Sequence, residues 1–86
     1  MAEQKIGRVT HYWSKIGVVG IEITGGELRV GDTIRFKGHT TDLTQRLDSM
    51  QVEHQPVAVA RAGDAIALKV TDHVRDHDEV FKVTAE

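Results

Sequence analysis

The chain lacks cysteine altogether and carries one proline, one tryptophan, one tyrosine and two phenylalanines among its 86 residues. Without thiols there is no disulfide scaffold, no thiolate zinc site and no cysteine nucleophile. A single proline excludes a proline-rich linker or ligand. No apolar run approaches the ~18–20 residues that a membrane-spanning helix needs. Met1-Ala2-Glu3-Gln4-Lys5 has no apolar stretch behind its charges and does not read as a signal peptide. A cytoplasmic location and no membrane partner are therefore expected. An excess of one charge is also missing: 11 Lys and Arg stand against 13 Asp and Glu, a net of −2. A dedicated non-specific nucleic-acid binder is strongly basic, so any contact with RNA must be local.

Forty per cent of the residues are apolar and 28 % are charged, the composition of a globular domain. The charge is unevenly spread. Residues 1–38 carry six Lys or Arg against four Asp or Glu, and residues 39–86 carry five against nine. A domain of ~60 residues buries only about 60 % of the surface its unfolded chain exposes. A chain little longer must commit most of its apolar residues to one core, with no room for a second domain or a large enclosed active site.

Glycine punctuates the chain at Gly25-Gly26, Gly31-Asp32, Gly38-His39 and Gly63-Asp64, between short apolar runs. That pattern predicts an all-β sandwich or barrel. Lys5–Tyr12 and Gly17–Thr24 read as a hairpin joined by Trp13-Ser14-Lys15-Ile16. Val19, Ile21 and Ile23 share one face of the second strand, and Gly20 within it points to a bend or a close approach. Thr33–Lys37, Ala65–Val70 and Glu79–Val83 read as further strands. Residues 41–54 fit two templates. Leu43, Leu47, Met50 and His54 recur at helical spacing, whereas a strand requires a phase slip at Asp48-Ser49. With that segment taken as a strand, the count is about six. Met1–Glu3 and Thr84–Glu86 read as frayed ends.

These residues resemble the β-barrel second domain of translational GTPases, the domain beside the G domain in elongation factor Tu and initiation factor two. The similarity runs from Gly7-Arg8-Val9 through Leu28-Arg29-Val30-Gly31-Asp32-Thr33-Ile34, Ser49-Met50-Gln51-Val52 and Ala62-Gly63-Asp64-Ala65-Ile66-Ala67-Leu68. It ends in a looser match at Val74-Arg75-Asp76-His77-Asp78-Glu79-Val80, so it covers roughly residues 5–84. The resemblance implies a small closed Greek-key barrel of mostly antiparallel strands, and it turns the reading of 41–54 to strand. Gly-Asp steps start strands after sharp turns, because glycine takes a φ that other residues avoid and aspartate bonds nearby backbone N–H groups. His77 stands where the family has glycine, so the last turn is expected to be strained or reshaped. The phosphate-cradling glycine loop of a GTPase is absent, so neither GTP nor another cofactor is implied.

His73, Asp76, His77, Asp78 and Glu79 crowd one stretch. A metal site needs three or four such ligands to converge, and a turn between strands splays them into water, so no metal is assigned. Ser14 and Ser49 are the only serines and carry no legible triad, so no catalysis is expected. The binding candidates are Arg8, His11, Tyr12, Trp13 and Lys15, extended by Arg35 and Lys37 if their strand lies near the hairpin. Aromatic faces stack on unpaired bases while cations hold phosphates. The same rings also suit capping of one barrel end. The resemblance implies a non-catalytic module contacting ribosomal RNA, tRNA or a translation-associated protein. The alternative is a protein–protein module, or a barrel accessory to a separate enzyme, since similar barrels are appended to U32 peptidase-type proteins.

Overall fold

Alternating apolar residues on antiparallel strands build the inner face first. Val19, Ile21 and Ile23 of β2 (Val18–Ile23) are buried, as are Ile34 and Phe36 of β4 (Thr33–Lys37) and Ile66 and Leu68 of β9 (Ala65–Lys69). The computed structural model describes residues 2–84. The other strands are β1 (Ala2–Trp13), β3 (Glu27–Arg29), β5 (Asp42–Arg46), β6 (Met50–Val52), β7 (Gln55–Val57), β8 (Val59–Arg61) and β10 (Glu79–Thr84). An eight-stranded sheet runs β5-β4-β10-β1-β2-β9-β6-β7, and β3 pairs separately with β8. In that pair Leu28 faces Ala60, and both are fully buried, so the short ladder covers the core.

The all-β expectation holds, but the sheet is not a closed barrel, and the described residues form ten strands, eight in the sheet and two in the separate pair, rather than six. Its ends are β5 and β7. Pro56 of β7 has no N–H to extend a ladder, which suits an edge. At the β5 end a side chain stands in for backbone pairing. The Gln45 amide donates to the Lys69 carbonyl at 3.0 Å, and its oxygen accepts from the Thr71 N–H at 3.0 Å. The terminal expectation also changes. Ala2 and Glu3 pair with Thr84 and Val83, so these residues are laddered rather than frayed, while Met1, Ala85 and Glu86 lie outside the described residues.

The ambiguous stretch 41–54 is two strands on opposite sides of the sheet, β5 beside β4 and β6 beside β9. Leu47 and Met50 are both buried with exposed Asp48 and Ser49 between them, which is the phase slip the strand reading required. Two register shifts bend the long β1, at Lys5/Gly7 against β10 and at Val9/His11 against β2. Val74, in the polar stretch before β10, reaches the core and is fully buried.

One turn recurs three times. In Arg29–Asp32, Arg61–Asp64 and Arg75–Asp78 the aspartate N–H donates to the arginine carbonyl, at 3.1, 2.9 and 3.2 Å. Its carboxylate accepts from the arginine N–H at 2.9 Å in all three. The third residue has positive φ: 101° at Gly31, 97° at Gly63 and 71° at His77. The glycine and aspartate roles read from the sequence are therefore met, and His77 takes the left-handed conformation in glycine's place.

Candidate functional site

The β1–β2 hairpin separates the two rings that the sequence places side by side. Successive strand residues point to opposite faces, so Tyr12 and Trp13 part. Tyr12 is half-buried, packs against the core and meets His73 edge-on, with ring centroids 4.9 Å apart. Trp13 turns outward and is 44 % exposed, flanked by His11 at 4.4 Å. Tyr12 thus packs inward, and Trp13 is left as surface. The turn closes with the Ile16 and Gly17 N–H groups donating to the Trp13 carbonyl, and leaves Lys15 exposed and Ile16 64 % exposed.

The cations lie in a mixed field. Arg8 faces Glu22 across β2, with 3.8 Å between guanidinium and carboxylate. Register places Glu22, Arg8, Glu79, Lys37 and Asp42 in one row across five strands, with alternating sign. Arg35 and Lys37 lie on β4, separated from β1 by β10. Arg35 donates to both oxygens of Asp42 at 2.8 and 2.9 Å and to Glu3 at 2.7 Å. The hydrogen bonds from Asp42, then Glu3, raise its pKa above the ordinary arginine value. The same bond holds the Asp42 carboxyl below the usual aspartate range. The structure therefore gathers His11, Trp13 and Lys15 on one hairpin and leaves Arg35 committed to carboxylates elsewhere.

A groove lies beside Trp13 on the outer face. Its floor is Gly20 and Ala67, partners across β2 and β9, and the register row continues to His11 on one side and Gln51 on the other. A Cβ on Gly20 would stand 3.3 Å from the Trp13 ring and 3.3 Å from the Thr10 hydroxyl. The opposite wall is the β6–β7 turn, where Glu53 and His54 adopt φ of 51° and 64°. A two-residue hairpin turn with both φ positive favours Asn-Gly, so this turn is strained. The sequence flagged Gly20 and Trp13. It missed Gln51, His54 and Ala67, because they join the groove only through strand pairing.

A second concavity, near His39, Arg75 and His77, mixes those bases with Asp76, Asp78 and Glu79. In the histidine-rich stretch Asp78 is 6 % exposed and bonded to its own turn, whereas His73, Asp76, His77 and Glu79 are exposed. Among the described residues no three His, Asp or Glu side chains are grouped to hold a metal ion. No described helix is long and apolar enough to cross a membrane.

No protein-family model matches the chain. An uncharacterized protease of Methanocaldococcus jannaschii is 36 % identical over 78 residues, 90 % of this chain. A collagenase of Porphyromonas gingivalis is 35 % identical over the same length. The C-terminal domain of a Geobacillus thermoleovorans protein described as a U32 peptidase superposes with a TM-score of 0.86 at 20 % identity, covering 94 % of this chain and 93 % of that domain. The fold is that of the U32 peptidase C-terminal domain. The chain spans about a fifth of the length of the curated relatives, 19 % and 22 %. These likenesses overturn the resemblance to translation factors, and with it the reading of an RNA-binding translation module. The physical reason lies in the motifs themselves. Gly-Asp steps encode a turn, and that turn serves wherever antiparallel strands must be joined, so their order does not specify a family.

Proposed function

We propose that the chain is a non-catalytic accessory domain of a U32 peptidase-type protein, acting by binding and not by chemistry. The observation that carries this reading is the likeness to a U32 peptidase C-terminal domain over nearly the full length of both chains. The match to about a fifth of longer relatives named protease and collagenase supports an appended role. The test has two arms. Incubated alone with gelatin, the purified chain is expected to leave it intact, and immobilised chain is expected to recover a U32 peptidase-type polypeptide from nuclease-treated native lysate. Gelatin cleavage by the chain alone, or recovery of ribosomal components in its place, overturns the reading.

A further inference from the structure

The two free edges of the main sheet are guarded differently. Pro56 leaves β7 without an N–H at the centre of its edge, a common protection of a strand that must not pair further. On β5 neither proline nor lysine nor a bulge intervenes. Register fixes which of its backbone groups are free. The Leu47 N–H donates to the Asp32 carbonyl, and the Gly38 N–H donates to the Thr41 carbonyl, so the odd-numbered residues turn their backbone to β4. Alternation then turns the N–H and carbonyl groups of Asp42, Thr44 and Arg46 away from β4, and among the described residues no loop or side chain takes them up. The Gln45 amide that reaches Lys69 and Thr71 leaves from the opposite face of the strand and bonds none of these groups. Beside Arg46 the edge gives onto a concavity of about 340 Å³ bounded by Asp48, Ser49, Lys69 and Thr71.

We infer that the β5 edge pairs with the β5 edge of a second copy of this chain, antiparallel about a two-fold axis at Thr44. That axis sets Thr44 opposite its own copy, and sets Asp42 and Arg46 opposite Arg46 and Asp42 of the second copy. All three are positions with outward backbone groups, so the pairing closes about six backbone hydrogen bonds with donors and acceptors matched. The charges select this occupant. The alternating row Glu22, Arg8, Glu79, Lys37, Asp42 ends on an acid at the edge, and Arg46 of the second copy is the next cation. The Asp42 side chain is 64 % exposed, and its oxygens accept one bond each from Arg35, which leaves lone pairs for another donor. Arg46 is 74 % exposed and only loosely paired with Asp48, at 3.9 Å. Centring the axis one residue away sets Asp42 or Arg46 opposite Thr44 and loses both ion pairs. The contact closes at two copies, and Pro56 keeps the β7 edge from extending it. Pairing of this kind is open to the chain alone and does not depend on a peptidase partner.

The paired segment is short, so association is read as mass against concentration. Analytical ultracentrifugation from about 10 µM to about 1 mM is expected to carry the mass from the 9.5 kDa of one chain toward twice that value. Arg46→Asp sets acids opposite acids and Asp42→Lys sets cations opposite cations, and each alone is expected to weaken association about tenfold or more. An equimolar mixture of the two variants restores both ion pairs and is expected to return association to near the parent's, a rescue that loss of folding cannot mimic. The chain has no cysteine, so a single introduced thiol can be linked selectively. A short bismaleimide is expected to join two Thr44→Cys chains and to leave Ser14→Cys, in the β1–β2 turn, as single chains. Thermal midpoints near the parent's confirm that the variants fold. Arg46→Asp and the cross-link test the pairing even where Asp42→Lys, which loses the Arg35 bond, does not fold. A mass of one chain at every concentration, association unaltered by Arg46→Asp, no rescue in a mixture of folded variants, or linking of Ser14→Cys as readily as Thr44→Cys overturns the proposal.

Discussion

The turns Arg29–Asp32 and Arg75–Asp78 close with the same pair of hydrogen bonds, yet one carries glycine at its third position and the other carries histidine. Their φ angles explain part of this: 101° at Gly31 lies beyond what side chains tolerate, whereas 71° at His77 sits in the left-handed region that histidine enters. Their surroundings explain the rest. The His77 N–H donates to the Val9 carbonyl at 2.9 Å, and the Val9 N–H donates to the Asp78 carbonyl at 2.8 Å. Gly38 lies so close that a Cβ there would collide with the Asp78 carboxylate. The first turn is held by an equivalent pair, from the Gly31 N–H to the Leu47 carbonyl and from the Leu47 N–H to the Asp32 carbonyl, both at 2.8 Å, so what sets the last turn apart is the packing of Gly38 on the buried Asp78 carboxylate. At the first turn a Cβ on Gly31 would meet nothing within 4 Å, so its φ of 101°, and not crowding, is what calls for glycine.

The largest effect is expected where the packing is tightest. Gly38→Ala drives a methyl into the Asp78 carboxylate and should cost about 1–3 kcal/mol in denaturant unfolding. Combined with Asp78→Ala that cost should shrink, and strict additivity in the double-mutant cycle would show that the contact is not what fixes Gly38. Asp78→Ala strips the buried acceptor from the Arg75 N–H and should cost about 2 kcal/mol. The same change at the more exposed Asp64 should cost about half as much, because water can replace the carboxylate there. Equal losses would erase the distinction between the buried Asp78 carboxylate and the more exposed Asp64.

Substitution at the third position gives a smaller effect. Gly63→Ala, at φ 97°, should destabilise by about 1–2 kcal/mol. His77→Gly should change stability by less than about 1 kcal/mol, since relief of strain offsets the added freedom of the unfolded chain. A large loss for His77→Gly would mean that the imidazole itself holds the turn.

The smallest effect concerns charge. Asp42, lowered by its bond to Arg35, contributes stability that is full above the ordinary aspartate value of 3.8 and is lost as pH falls through the depressed value. Asp42 is exposed, so solvent screens the pair and the slope should be slight. Asp42→Asn should flatten thermal midpoints between neutral pH and about pH 2, and an unchanged acid slope would assign it to other carboxylates.

Local chemistry was legible wherever it repeats with short period. Val19, Ile21 and Ile23 announce the inner face of β2, Thr33–Lys37 matches β4 end to end, and the slip at Asp48-Ser49 is where Leu47 hands the core to Met50. Val74 escaped notice because one apolar residue among charges has no period to betray it. The pair β3–β8 escaped because three-residue strands carry too little alternation. The sequence alone determined the turns and the inward faces, because φ preference and two-residue alternation belong to the residues themselves. Tertiary structure decided that the sheet stays open, that Gln45 bridges its seam and that Trp13, Gly20 and Ala67 share a groove. Each of those depends on which distant strands pair, and pairing is settled by burying the whole core at once.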